Sequence, residues 1–239
     1  MIDVLAFAPH PDDVELYCAA TLVKLKQQGY TTAIIDLTRG EMSSRGTPES
    51  RERETLAASH ILKLDHRENL SIPDNGIQND DVNRRKVIEI LRRLRPNTVL
   101  IPYFIDRHPD HEHASALIKE AIFYSGLSKI EMHDANNVPL PAYRPKKSFY
   151  YMLERTFEPS FIVDVTETFE QRLEAIRTFA TQFNSTNEQD GPKTFISSPD
   201  FFEFIIARAR SLGFSIGVRY GEGFLSMTPT EMPIQGLVT

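Results

Sequence analysis

Two short stretches combine side chains that can do chemistry. One is Ala8-Pro9-His10-Pro11-Asp12-Asp13 and the other is Asp106-Arg107-His108-Pro109-Asp110-His111. Imidazole and carboxylate together suit a divalent metal, zinc above all, and a catalytic zinc keeps three protein ligands and one open position for water. Four residues, His10, Asp13, His108 and His111, compete for three places. Helix geometry separates His111 from its neighbour His113. In a helix over 111–124, Ala114, Leu117, Ile118, Ala121 and Ile122 form the apolar face. His111 lies roughly 50° from the centre of that face and His113 roughly 110° away, so His111 points inward and His113 into solvent. Taken singly, these residues have plainer explanations. A loop histidine is commonly a hydrogen-bonded structural group, and Asp12, Asp13 or Asp110 would serve as a helix N-cap. Two such clusters, each ending an apolar strand, favour a shared metal site, although the pattern alone names no reaction.

The elements that must position these clusters are strands alternating with helices. Residues 2–8 (IDVLAFA) and 31–37 (TTAIIDL) read as buried strands. Between them a helical pattern runs from about Asp12 to Gln28, with Leu16, Ala19, Ala20 and Val23 on one face, and Gly29 stops it. The polar loop RGEMSSRGTPES leads into a helix capped by Thr47-Pro48 and ending near Leu62. A short strand at 66–72 is followed by the turn PDNG. A helix over 80–95 then ends before Pro96, and NTVLIPY is the fourth strand.

The second half is less regular. Proline-rich residues 139–145 cross the surface, and strands are expected at 147–153 and 161–165. Thr166 is expected to cap a helix to about Phe183, followed by a polar loop over 184–197 and a Ser198-Pro199 helix to about Leu212. A last strand near 223–227 is expected at a sheet edge. The pattern predicts an α/β fold, a Rossmann-like, mostly parallel sheet with helices on both faces and a C-terminal α/β portion packed on it, in one domain over 1–239. Such sheets bind ligands at strand carboxyl ends where strand order reverses. Strands one and four flank that reversal in the common order, so the two clusters would face one crevice.

Composition narrows the function classes. Of 239 residues, 41% are hydrophobic and 25% charged, which excludes disordered and fibrous chains. No apolar run reaches the ~18 residues of a membrane span, and the start MIDVLAFAPHPDD lacks the basic residues of a signal peptide. Cys18 is the only cysteine, so no internal disulfide can form. A cytoplasmic location without a membrane partner is expected. The net charge of −6 argues against nucleic acid as partner.

The sequence resembles the LmbE/PIG-L family of zinc-dependent N-acetylglucosamine deacetylases. The family motif A-H-P-D-D stands as Pro9-His10-Pro11-Asp12-Asp13, and H-P-D-H as His108 to His111. The likeness extends over LTRGEMSSRGTPESRERE (37–54), NLSIPDNGI (69–77), PYFIDRHPDHEHA (102–114) and GVRYGEGF (217–224), nearly the whole chain. It is greatest to the bacillithiol-pathway branch, which deacetylates N-acetylglucosaminyl-malate. The resemblance implies His10, Asp13 and His111 as zinc ligands, with iron(II) accepted by the same set. It implies Asp12 as general base, taking a proton from water whose pKa zinc lowers to about 7. His108 would stabilise the oxyanion and protonate the leaving amine, with Asp110 orienting it. Arg51, which matches a family arginine, and Arg107, which adjoins the second motif, would bind the carboxylates of the substrate, with Glu54 orienting Arg51; the plainer alternative is that both make surface or interface salt bridges. The partners implied are a small N-acetylglucosaminyl substrate and further copies of the chain in a homo-oligomer.

Two positions depart from the family pattern. Pro9 replaces the usual alanine, and Ala19-Ala20 stands where two glycines are common; both bear on pocket shape. Other N-acetylglucosamine glycosides or chitooligosaccharides are alternative substrates. A metal-dependent phosphoesterase would want two metals, for which the ligands are short. A nucleotide-binding sensor would want a glycine-rich turn after strand one, where this chain has the acidic, glycine-free APHPDD. The remaining alternative is a non-catalytic scaffold, which would hold no metal.

Overall fold

The computed structural model describes residues 1–183 and 192–229, so residues 184–191 of the expected polar loop lie outside the described residues. Strand β1 (Val4–Ala8) is followed by helices α1 (Asp13–Tyr17) and α2 (Ala19–Gln27). Then come β2 (Thr32–Asp36), α3 (Pro48–Leu62), β3 (His66–Asn69), α4 (Asp81–Leu94), β4 (Thr98–Pro102) and α5 (Pro109–Ser125). The remainder is β5 (Lys147–Tyr151), β6 (Phe161–Asp164), α6 (Phe169–Arg177), α7 (Pro199–Ser215) and β7 (Gly221–Leu225). The strands form one sheet in the order β3-β2-β1-β4-β5-β7-β6. From β3 to β5 the pairing is parallel, with Val4 opposite both Thr32 and Thr98.

Alternation along the strands sorts the core into two layers. Val4, Ala6 and Ala8 face one side with Ile34 and Leu100, where α1, α2, α3, α6 and α7 pack. Leu5 and Phe7 face the other with Ile35, Val99 and Ile101, under α4 and α5. Both faces are therefore covered, as the apolar strand runs require. Among the described residues no helix is long and apolar enough to cross a membrane.

Local signals set several boundaries. Thr47 and Ser50 form a reciprocal capping box ahead of Pro48. Asp80 caps α4, and Ser198 caps α7 with Pro199 in its first turn.

Three expectations are corrected. The helix expected over 12–28 is broken at Cys18. Arg172 donates to the carbonyls of Glu15 and Leu16 at the end of α1, while the Glu222 carboxylate accepts the N–H groups of Ala20 and Thr21 that open α2. Arg172 and Glu222 pair at 3.1 Å, both buried. Helix α6 begins at Phe169, not after Thr166, and ends at Arg177; the Thr168 hydroxyl before it is turned to the Ala20 carbonyl and does not cap it. The last strand does not lie at an edge. β7 sits antiparallel between β5 and β6, so the C-terminal portion completes the sheet. Gly221 makes room for it, since a Cβ there would lie 2.6 Å from Ile162 Cγ2 and 2.9 Å from the Gly213 nitrogen of α7.

Replacing Glu222 by Ala leaves the Arg172 charge buried and the start of α2 uncapped. The expected loss is about 3–5 kcal/mol, a fall of roughly 10 °C in Tm by calorimetry. An unchanged Tm would show that the break is held by other contacts.

Candidate active site

Strands β1 and β4 lie side by side and parallel, so the segments leaving their carboxyl ends meet. His10 leaves β1 and Asp13 opens α1. His108 is the N-cap of α5, with Pro109 behind it, and His111 lies in the first turn. The ring centroids of His10 are 4.8 Å from His108 and 5.4 Å from His111. The two distant clusters thus share one cleft of about 180 Å³, which Tyr17, Met42, Ser43, Asp74 and Glu154 also line. A larger hollow of about 510 Å³, between α3 and β3, shares Arg51 with it but lies away from His10, His108 and His111.

Two overlapping trios could hold a metal ion, His10/Asp13/His111 and His10/His108/Asp110. In the first, Asp13 Oδ2 is 3.3 Å from His10 Nδ1, and Asp13 Oδ1 is 3.4 Å from His111 Nε2. Asp106 Oδ2 sits 2.6 Å from His111 Nδ1. That back-side carboxylate accepts a hydrogen bond from Nδ1–H and leaves Nε2 to serve as a ligand. Two imidazoles and a carboxylate fit zinc or iron(II). The electrostatics agree. Burial opposes charge on His111, yet Asp13 and Asp106 outweigh it and push its pKa up to about 9. Burial likewise opposes charge on Asp13, but His111 and His10 hold its carboxyl far below the usual range. Without an ion, protons supply the positive charge these carboxylates demand, and a divalent cation would replace them.

Asp12 lies beside the trio, buried, at φ 116° and ψ −24°, a left-handed backbone that is strained for a non-glycine residue. Burial raises its pKa to about 7 against the pull of Arg51, and Asp13 adds to the rise. Arg51 donates to Asp12 Oδ2 at 3.1 Å and to the Pro11 carbonyl at 2.8 Å. It is 4% exposed. Gly40, at φ +65°, permits this, because a Cβ there would approach the guanidinium to 3.2 Å. Arg51 therefore braces the strained loop.

The other expected residues fall as follows. Arg107 is half exposed and forms a two-pronged pair with Glu154, its guanidinium over the Phe195 ring. Glu54 does not meet Arg51; its carboxylate accepts the N–H and hydroxyl of Thr181. Asp110 meets His108 through its backbone, its N–H donating to His108 Nδ1 at 3.2 Å. The Asp110 carboxylate instead accepts from the Asn75 N–H and lies 3.6 Å from His10 Nε2. Asp74, Asp106 and Glu154 were missed as site residues. Asp106 was legible by its place in the second motif and Asp74 by its place in the family-like stretch 69–77, whereas Glu154 arrives from a strand end with no signal of its own.

Comparison with known proteins places this geometry. Residues 5–122 match PIG-L, the GlcNAc-PI de-N-acetylase family. The diacetylchitobiose deacetylase of Thermococcus kodakarensis is 30% identical over 190 residues, 75% of this chain and 70% of that protein. The chain belongs to the PIG-L/LmbE family of deacetylases. It is accordingly an amide hydrolase acting on N-acetylglucosamine-type substrates, and enzymes of this family are metal-dependent. A solved conserved protein of Thermus thermophilus is 39% identical, with a TM-score of 0.86 over 98% of each chain. A probable N-acetyl-alpha-D-glucosaminyl L-malate deacetylase 2 of Bacillus anthracis is 31% identical over 133 residues, half of this chain and 58% of that protein.

The first trio carries one expected outcome. Metal analysis should find one divalent ion per chain. Asp13→Asn should lose it, and Asp110→Asn should keep it to within about tenfold in affinity. Two ions per chain would favour phosphoesterase chemistry, and loss in Asp110→Asn alone would move the ion to the second trio.

Proposed function

We propose that the chain removes the acetyl group from a small N-acetylglucosaminyl conjugate, with His10, Asp13 and His111 holding a zinc or iron(II) ion. The observation that carries this is the buried convergence of that trio beside an unligated carboxylate, Asp12. A cation bound there would polarise the amide carbonyl and acidify water. Asp12 is the general base, taking one proton as water adds to the carbonyl carbon. His108 supplies the electrophile. Its Nδ1 accepts the Asp110 N–H, so in the neutral ring the proton sits on Nε2. That N–H can meet the tetrahedral oxyanion. The C–N bond then breaks as Asp12 passes the proton it took to the amine nitrogen, the second water proton follows, and acetate and the protonated amine leave.

The aglycone we propose is malate. Arg107 stands at the rim, with Nε and Nη2 committed to Glu154 and Nη1 outside that pair, where a carboxylate can join. The Bacillus relative supports this by its name. The Thermococcus relative supports a rival, a second N-acetylglucosamine unit.

Asp12→Ala should lower kcat about 10²–10⁴-fold with metal still bound, measured by amine release; unchanged turnover would remove Asp12 from the role. Amine release from N-acetylglucosaminyl-malate and from diacetylchitobiose, with and without chelator, identifies the aglycone. The malate conjugate should have the higher kcat/KM, and Arg107→Met should raise its KM about tenfold while leaving the disaccharide unaffected. A preference for the disaccharide that survives in Arg107→Met would establish the rival.

A further inference from the structure

The PDNG segment reads in the sequence as a turn, inside a stretch of family likeness that assigns it no role, and in the fold it reaches the centre of the cleft. The Gly76 N–H closes it on the Pro73 carbonyl, and Asn75 sits at φ 58°, a conformation asparagine tolerates. Asp74 Oδ2 accepts the Met42 N–H at 2.9 Å, and the Asp74 N–H donates to Glu41, so the turn grips the loop that carries Met42 and Ser43 into the cleft. The Asn75 N–H donates to Asp110 Oδ2 at 2.8 Å. The other oxygen, Asp74 Oδ1, accepts the Asn75 N–H at 2.9 Å and lies 3.2 Å from His10 Nε2.

That nitrogen is buried and has no hydrogen bond of good geometry. Its nearest carboxylates are Asp74 and, at 3.6 Å, Asp110. The opposite ring nitrogen, Nδ1, faces Asp13. A ligating imidazole nitrogen carries no proton, so a neutral His10 that ligates through Nδ1 must keep its proton on Nε2. His111 already has such a back-side partner in Asp106.

We infer that Asp74 is the corresponding positioning residue for His10, accepting its Nε2–H and fixing the tautomer and ring angle that turn Nδ1 toward the ion. The inference rests on the proposed ligand trio. The PDNG turn is then part of the active-site frame, holding His10 by a carboxylate, Asp110 by a backbone N–H and the Met42 loop by a second carboxylate oxygen. Asp74 touches no reacting atom in this role.

The variant of choice is Asp74→Asn, whose amide oxygen can still accept the Met42 N–H. Zinc affinity is measured by competition with a chromophoric chelator, and kcat and KM at saturating zinc on the same protein. The His10 tautomer is read from its ring nitrogen shifts by NMR, and Tm confirms folding. Zinc binding should weaken about 10–100-fold, and kcat should fall with KM within about twofold of wild type. The spectrum should lose the single Nε2–H tautomer of the wild-type protein. Unchanged zinc affinity and tautomer would overturn the inference. So would a raised KM with unchanged zinc affinity, which would make Asp74 a sugar contact. Wild-type protein that binds no zinc through His10 would instead overturn the ligand trio.

Discussion

Everything at this site depends on two parallel strands being neighbours. β1 and β4 share a register that sets Val4 against Thr98, so both chains leave the sheet at one end, side by side. Neither segment could assemble the chemistry alone. The first brings two carboxylates and one imidazole, and the second brings two imidazoles from the first turn of α5 and the loop before it. Reversal of strand order at β1 opens the crevice between them, the place where doubly wound sheets hold ligands. The rest of the fold keeps those strands buried on both faces.

Bringing so many acidic groups into a small volume has an electrostatic consequence. Asp12, Asp13, Asp74, Asp106 and Asp110 all lie close to three histidines. Buried carboxylates need positive partners, and each here has an oriented one. Arg51 serves Asp12, imidazoles serve Asp13 and Asp106, and backbone N–H groups serve Asp74 and Asp110. The strained backbone at Asp12 fits the same logic, since two Arg51 bonds, to its carboxylate and to the preceding carbonyl, over-determine the conformation. A divalent ion would complete this balance, which is why the donor set suits metal hydrolysis better than nucleotide binding.

Much of this was legible because it is local. The two motifs, their place after apolar strands, the inward side of His111 and the capped starts of α3, α4 and α7 all follow from nearby residues. What escaped arrives from far along the chain. The α1/α2 break depends on Glu222 and Arg172, some 200 and 150 residues away. The interior position of β7 depends on how closely Gly221 approaches α7, whereas GEGF by itself reads as a weak strand. Glu54 has the spacing to reach Arg51 but is claimed by Thr181. Asp74 is an ordinary turn residue until the fold brings His10 beside it. Resemblance named the family, while the aglycone depends on rim side chains such as Arg107, whose Glu154 partner no motif announces.

The most direct measurement is anomalous diffraction at the zinc absorption edge from crystals grown with the metal. One peak per chain is expected, about 2.0–2.2 Å from a nitrogen of His10, an oxygen of Asp13 and a nitrogen of His111. A peak seated instead between His108 and Asp110, or none at saturating zinc, would contradict the account.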